Sequence, residues 1–250
     1  MVLRQHDPLE ELGLIERLIE CEPRAEPLME ATPEPIALAH IPNVWRAESL
    51  ALADQGRIAT GHEVLDVALG GGWPAPALIE VLGDHVGIGE LQLLRSLWQP
   101  RCLQGCNEQR SVVLWLNALY AVQAVALVQL GLDPSRHWCA RDLTERDVLW
   151  SMEQALRSGS CALVMAWSKT VSLAMLRRLK LAASAHDSVG VLFRPSALAA
   201  TASPATLRLR LRPALEQLQI ELLKVQGRRP CTLQLSLQAR TQRSQMRPLA

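Results

Sequence analysis

The chain has 250 residues, of which 49% are hydrophobic and 20% are charged. These fractions are close to those of ordinary globular proteins, so they exclude a chain that is disordered, collagen-like or a disulfide-stapled mini-protein. At about 150 residues per domain, the length fits one domain with appendages or two small domains.

The net charge of +1 hides opposite charges at the two ends of the chain. Residues 1–34 carry nine acidic and three basic side chains, whereas residues 222–250 carry six basic side chains and no acidic one. Such asymmetry indicates an interaction tail, and the alternative is a solvated face with a loose terminus.

The N-terminal sequence lacks the charged and apolar order of a signal peptide, and no stretch approaches about 18 consecutive apolar residues. We therefore expect a cytoplasmic protein with no membrane partner and with reduced cysteines. Cys102 with Cys106, and His137 with Cys139, do not form the tight paired knuckles of zinc sites, so no metal is expected.

The first predicted element is an amphipathic acidic helix over residues 8–20, where apolar side chains recur on one face. A proline-rich linker follows, because five prolines between residues 21 and 42 prevent a long helix. Residues 1–43 are thus predicted to form an N-terminal appendage.

From residue 44 onward, short apolar runs alternate with segments of helical period. Strands are predicted at 77–83, 111–116, 136–140, 161–167 and 188–193. Helices are predicted at 89–99, 121–131, between the capping residue Thr144 and Gly159, and at 170–186. This alternation indicates an α/β fold with a mainly parallel sheet flanked by helices.

After Pro195, strict alternation at 206–212, 215–225 and 231–238 predicts half-buried antiparallel strands at the edge of the sheet. Arg208, Arg210 and Arg212 form one stripe of the first strand, which we interpret as its solvated face. The predicted domain covers residues 44–225, and residues 226–250 form an edge strand and a basic tail.

The most informative segment runs from residue 59 to residue 93. It contains, in order, Thr60-Gly61, the glycine run 70–72, Trp73-Pro74 and a predicted strand that ends at Gly83. In this order and spacing, the segment resembles the opening of the RecA-type recombinase and ATPase core. The resemblance extends over about residues 58–195 and implies a RecA-like fold.

Longer blocks are similar to those of the ImuA family, the RecA-like accessory proteins of bacterial SOS mutagenesis cassettes. They lie at residues 44–51, 70–74, 87–94, 141–159, 176–183 and 192–197. This resemblance implies a non-enzymatic adaptor in SOS-induced translesion DNA synthesis. Its implied partners are a Y-family polymerase-like protein of the ImuB type and an error-prone replicative-type polymerase, with RecA and DNA as further candidates.

A Walker A loop, G-x-x-x-x-G-K-[ST], holds phosphates with backbone N–H groups and a lysine, and holds Mg²⁺ with a hydroxyl. Counted from Gly83, the register places Ile88 at the second glycine, Gly89 at the lysine and Glu90 at the hydroxyl residue. Losing the lysine and adding a carboxylate each cost about a few kcal/mol at an effective dielectric of about 20. Gly83, Gly87, Ile88, Gly89 and Glu90 are therefore predicted to form a degenerate P-loop, a tight strand-to-helix turn without nucleotide.

Two further catalytic features of the RecA pattern are absent. Trp167 and Ser168 stand where the strand 161–167 should end in an acid, and Asn117 follows the strand 111–116 where a catalytic glutamate is expected shortly after. We therefore expect no catalytic residue, no cofactor and no enzymatic activity. Ser168 is interpreted as a cap for the helix that starts at Thr170.

Five arginines near the C-terminus are candidate contacts for a partner or for DNA: Arg228, Arg229, Arg240, Arg243 and Arg247. An acid-free basic terminus can contact phosphates or an acidic protein. Single-strand binders usually add stacking aromatics, and none follows residue 222, so both interpretations stay open.

Two alternatives to the ImuA interpretation remain. The first is a SulA-type cell-division inhibitor, from a related RecA-like group that lacks a functional P-loop and binds the tubulin-like division GTPase. The second is a RecA-like ATPase with an atypical loop. The long acidic N-terminal arm favours the ImuA resemblance over the SulA type.

Overall fold

The computed structural model describes residues 56–98, 112–215 and 217–237. The predicted N-terminal helix, the linker and the boundary at residue 44 lie outside these ranges. Arg240, Arg243 and Arg247 of the predicted tail also lie outside them.

The described residues form ten strands and five α-helices. The strands are β1 (Gly56–Ile58), β2 (Trp73–Ala75), β3 (Ala77–Leu82), β4 (Val112–Leu116), β5 (His137–Ala140), β6 (Cys161–Trp167), β7 (Val189–Arg194), β8 (Leu207–Ala214), β9 (Gln217–Lys224) and β10 (Cys231–Leu235). The helices are α1 (Glu63–Leu69), α2 (Glu90–Leu93), α3 (Ala124–Gln129), α4 (Glu145–Ser158) and α5 (Leu173–Ala185).

Eight strands form one sheet in the order β10-β9-β8-β3-β7-β6-β4-β5. The run from β8 to β5 is parallel, and β9 and β10 are antiparallel additions at one edge. The predicted α/β class with a mainly parallel sheet is confirmed. The prediction for β8 needs correction, because β8 pairs in parallel with the central strand β3 before it pairs antiparallel with β9.

Helices cover both faces of this sheet. On one face, Leu65 of α1, Leu93 of α2 and Leu127 of α3 join a core with Ile79. On the other face, α4 and α5 pack against alternate strand residues, including Leu78. A sheet covered on both faces explains why its central strands are almost continuously apolar.

The strand Cys161–Trp167 and the helix α4 match their predictions. Thr144 accepts a hydrogen bond from the backbone N–H of Asp147 at 3.2 Å, and Gly159 ends the helix with a φ of 67°. The helix predicted at 89–99 is shorter, since α2 ends at Leu93 and continues as a 3₁₀ turn over Arg95–Trp98.

The small sheet of β1 and β2 and the helix α1 were not predicted. The glycine run between α1 and β2 makes this local fold. Gly72 has a φ of 125°, and a Cβ atom there would lie 2.2 Å from the carbonyl oxygen of Ile58. Only glycine allows the backbone of β1 to approach so closely.

A buried ionic triad joins the three central strands. Glu80 of β3 has no exposed surface, and its carboxylate accepts hydrogen bonds from Arg194 Nη1 at 2.6 Å and from Arg208 Nε at 2.7 Å. Arg208 also donates to the carbonyl oxygens of Thr201 at 2.7 Å and Leu198 at 2.9 Å. The interpretation of Arg208 as part of a solvated face is therefore wrong, because its charge is buried and paired.

We predict that Glu80→Gln destabilises the domain by about 3–5 kcal/mol, because it leaves two buried guanidinium groups without their counter-charge. Glu221→Gln is the matched control. It removes a half-exposed carboxylate that pairs with Arg210 and should cost less than about 1 kcal/mol. Urea unfolding of both variants measures the difference, and similar losses of stability would contradict the role of the triad.

Candidate functional site

A cavity of about 710 Å³ lies at the carboxyl ends of the parallel strands. Its walls include Val81 of β3, Asn117 after β4, Trp167 of β6 and Phe193 of β7. The loop from Gly83 to Glu90 borders the same cavity. This edge of an open α/β sheet is where such folds bind their ligands.

Within the loop between β3 and α2, a side chain of the loop itself accepts a hydrogen bond from the loop backbone. The backbone N–H of Gly87 donates to Oε1 of Glu90 at 3.0 Å, and Glu90 is only 8% exposed. In a Walker A loop, backbone N–H groups of this kind bind phosphate oxygens. Here a buried carboxylate takes the place of the phosphate oxygen, and Gly89 stands where the Walker lysine would be.

The segment after β10 packs on the same loop. Gly89 has a φ of 103°, and a Cβ atom at this position would lie 2.2 Å from Cδ1 of Leu237. Gln92 of α2 donates to the carbonyl oxygen of Leu237 at 3.4 Å. The position that the Walker register assigns to lysine is thus a glycine beneath a leucine side chain.

Asp84 ties the other side of the loop to the turn after β7. Its carboxylate accepts hydrogen bonds from the backbone N–H of Ser196 at 2.9 Å and from the Ser196 hydroxyl. These bonds stabilise the charged form and lower the pKa of Asp84. The side chain of Asp84 therefore anchors the loop.

Aromatic rings line the strand ends where the RecA pattern expects an acid. Trp167 stacks on Phe193 with ring centroids 4.3 Å apart and planes 5° apart. Trp115 of β4 lies next along this row, with its centroid 6.3 Å from that of Trp167. Trp167 and Phe193 make this wall of the cavity apolar, which does not suit a magnesium ion.

Glu145 reaches the end of β6 from the first residue of α4, a contact that the sequence did not reveal. Its carboxylate accepts from the Ser168 hydroxyl and, at 3.2 Å, from the backbone N–H of Lys169. The prediction that Ser168 caps the following helix is wrong, because α5 begins later and Ser172 caps it by accepting from Met175 N. The capping signal at Thr144 predicted where α4 begins. It did not predict that Glu145, the first residue of α4, contacts the end of β6.

Asn117 is a second residue whose role sequence reasoning missed. Its φ is 51°, and its amide donates to the carbonyl oxygen of Leu143 at 2.7 Å and accepts from Leu143 N at 3.0 Å. The side chain thereby joins the end of β4 to the loop before α4. An asparagine directly after a buried strand was the available signal, since asparagine tolerates the left-handed conformation.

The structure separates the predicted loop from Arg228 and Arg229, the two predicted arginine contacts that lie within the described residues. In the antiparallel pairing of β8 and β9, the backbone of Lys224 at the end of β9 lies opposite Arg208 near the start of β8. The turn that follows β9, with Arg228 and Arg229, therefore lies at the amino ends of the parallel strands, opposite the cavity.

Across residues 56–98, 112–215 and 217–237, no group of three or more His, Cys, Asp or Glu side chains is arranged to hold a metal ion. No described helix has the length and apolarity that a membrane span requires.

The fold and the loop define a class of protein: an α/β domain whose strand-to-helix loop lies at the ligand edge but lacks the Walker lysine. Comparison with individual known proteins gives the family.

No family model matches the chain. The cell division inhibitor SulA of Edwardsiella piscicida is 34% identical over 123 residues, which are 48% of this chain and 73% of that protein. SulA of Yersinia enterocolitica is 30% identical over 93 residues, 37% of this chain and 55% of that protein.

The chain therefore belongs to the family of SulA cell division inhibitors. These relatives favour the SulA-type alternative over the ImuA resemblance. The E. piscicida match takes in less than half of this chain but nearly three quarters of the relative, so the present chain is longer.

We predict an energetic coupling between Gly89 and Leu237. Gly89→Ala forces the leucine side chain off the loop and should cost about 1 kcal/mol more in the wild-type background than in a Leu237→Ala background. Gly87→Ala is the control, because Gly87 also has a positive φ but open space around it. Its cost should be the same in both backgrounds. A double-mutant cycle by urea unfolding measures the coupling, and a coupling near zero for Gly89 would contradict the packing.

Proposed function

We propose that this chain is a RecA-like, non-enzymatic protein of the SOS response that inhibits cell division by binding a protein partner. The observation that carries the proposal is the self-filled loop. The carboxylate of Glu90 accepts the N–H of Gly87 inside the loop, and Leu237 packs over Gly89. A loop filled in this way offers a triphosphate neither the free N–H group of Gly87 nor a Walker lysine, which supports action through the protein surface instead.

The arrangement of the sheet supports the RecA-like part of the proposal. The loop-bearing strand β3 lies inside the sheet, between β8 and β7, and not at its edge. The chain passes from β3 to β4, three places away, and returns through β6 and β7 to the side of β3. Folds of this doubly wound type place their loops around one crevice, as they do here around the cavity.

An exposed apolar surface supports binding of a protein. A second cavity, of about 810 Å³, lies beside α3 and the preceding loop. Leu119, Tyr120 and Val128 line it and are 54%, 68% and 60% exposed. Large apolar side chains grouped around one cavity are typical of interaction sites. We call these three residues the apolar rim.

The names of the relatives support a partner that acts in cell division. Both are named cell division inhibitors. The SulA-type resemblance implies that the target is the tubulin-like division GTPase. We therefore assign this GTPase as the partner and the apolar rim as the contact surface.

We predict that the purified protein inhibits the division GTPase and that Val128→Asp weakens this inhibition at least about tenfold, because a charge would be buried at the interface. Val67→Asp is the matched control. Val67 of α1 is 65% exposed and does not line the cavity, so its variant should inhibit like the wild type. The measurement is the GTPase rate as a function of inhibitor concentration.

Two outcomes would contradict the proposal. The first is a wild-type protein that leaves the GTPase rate unchanged at any concentration and does not cause filamentation when overexpressed. The second is an equal effect of the two aspartate variants, which would place the contact elsewhere.

The second candidate function is the adaptor role in translesion synthesis. The sequence blocks that resemble ImuA extend over residues 44–197, a longer part of the chain than the 123 residues matched to SulA. This role requires direct binding to a Y-family polymerase-like protein and an error-prone replicative-type polymerase. A pull-down with both polymerases, with the division GTPase in a parallel reaction, discriminates the two candidates.

A further inference from the structure

Two arginines meet at the amino ends of the parallel strands. Arg57 lies in β1 and Arg228 in the turn between β9 and β10. A Cβ atom at Gly70 would lie 2.8 Å from Nε of Arg228, and one at Gly71 would lie 3.7 Å from Cγ of Arg57. The glycine run thus lets both side chains lie against the backbone at the end of α1.

Most donors of Arg57 are unused. Nη1 donates to the carbonyl oxygen of Leu69 at 3.4 Å, whereas Nε and Nη2 are buried and have no hydrogen-bond partner. Burial, and secondly the positive charge of Arg228, lower the pKa of Arg57. Buried N–H donors that lack a hydrogen-bond partner are unfavourable unless a ligand supplies an acceptor.

No carboxylate of the described residues forms an ion pair with either arginine of this pair. Among the residues that the structure describes, none forms an ion pair with Arg57, Arg228 or the neighbouring, exposed Arg229. The interior arginines behave differently, since Arg194 and Arg208 both pair with Glu80. The pair therefore combines positive charge, partial burial and unused donors at one place.

We propose that Arg57 and Arg228, with Arg229 at the rim, form a binding site for the carboxylates of an acidic segment in a protein partner. Guanidinium groups bind carboxylates through two parallel hydrogen bonds, which the unused N–H groups of Arg57 could supply together with those of Arg228. The site lies opposite the loop from Gly83 to Glu90, so it goes beyond the proposed function and does not depend on it.

The surroundings favour an acidic protein over single-stranded nucleic acid. Nucleic-acid grooves usually add exposed aromatic rings on which bases stack. Trp73 is an aromatic residue beside this site. Its backbone lies opposite Ile58 of β1, and its side chain is fully buried. It has no face available for a base.

The test is a fluorescence-anisotropy titration of the full chain with a labelled oligoglutamate peptide. We expect saturable, salt-sensitive binding that Arg228→Glu weakens at least about tenfold. Arg57→Gln should weaken it as well. Arg177→Glu, at an exposed arginine of α5, makes the same charge change elsewhere and should leave the affinity within about twofold.

Three results would overturn the site. One is the absence of saturable binding by the wild type, and another is equal weakening by Arg228→Glu and Arg177→Glu. The third is a labelled oligothymidine that binds more tightly than the peptide and is lost in Arg228→Glu, which would assign the pair to nucleic acid. Inhibition of the division GTPase by Arg228→Glu should be unchanged, which separates this test from that of the proposed function.

Discussion

The carboxylate of Glu80 is the constraint on which the rest of the structure depends. It lies at the middle of the sheet without solvent contact and accepts from guanidinium groups on both neighbouring strands. Buried ion pairs often add little net stability, but breaking one is costly, and they can favour one arrangement over its competitors. Here the triad links the side chains of β7 and β8 to β3, which lies between them.

This constraint also positions the candidate site. Arg208 binds the carbonyl oxygens of the turn that follows β7, and Ser196 at the start of that turn binds Asp84 of the loop. The loop from Gly83 to Glu90 is therefore connected to the interior of the sheet through a series of hydrogen bonds. Glu90 and Leu237 then fill it. The fold retains the edge at the carboxyl ends of the parallel strands where α/β domains bind ligands. The polar residues at that edge form hydrogen bonds with one another.

The sequence predicted the sheet better than the site, and particular residues show why. The apolar run Cys161–Trp167 is a strand because local pattern and length determine it. Arg208 was assigned to the wrong environment because alternation shows which residues share a face, and not what covers that face. Alignment of the loop with the Walker A pattern showed that the lysine is missing. The contact of the Glu90 side chain with the loop backbone could not be predicted, because it depends on the three-dimensional path of the chain. Glu145 and Ser168 meet only because α4 and β6 are neighbours in space.

The central claim is that a loop filled by its own carboxylate leaves this SulA-family protein to act by binding and not by nucleotide chemistry. Isothermal titration calorimetry of the full chain with ATP and Mg²⁺ tests it most directly. The account predicts no saturable binding tighter than about 1 mM. A micromolar dissociation constant, accompanied by hydrolysis that is lost when the loop from Gly83 to Glu90 is altered, would contradict it.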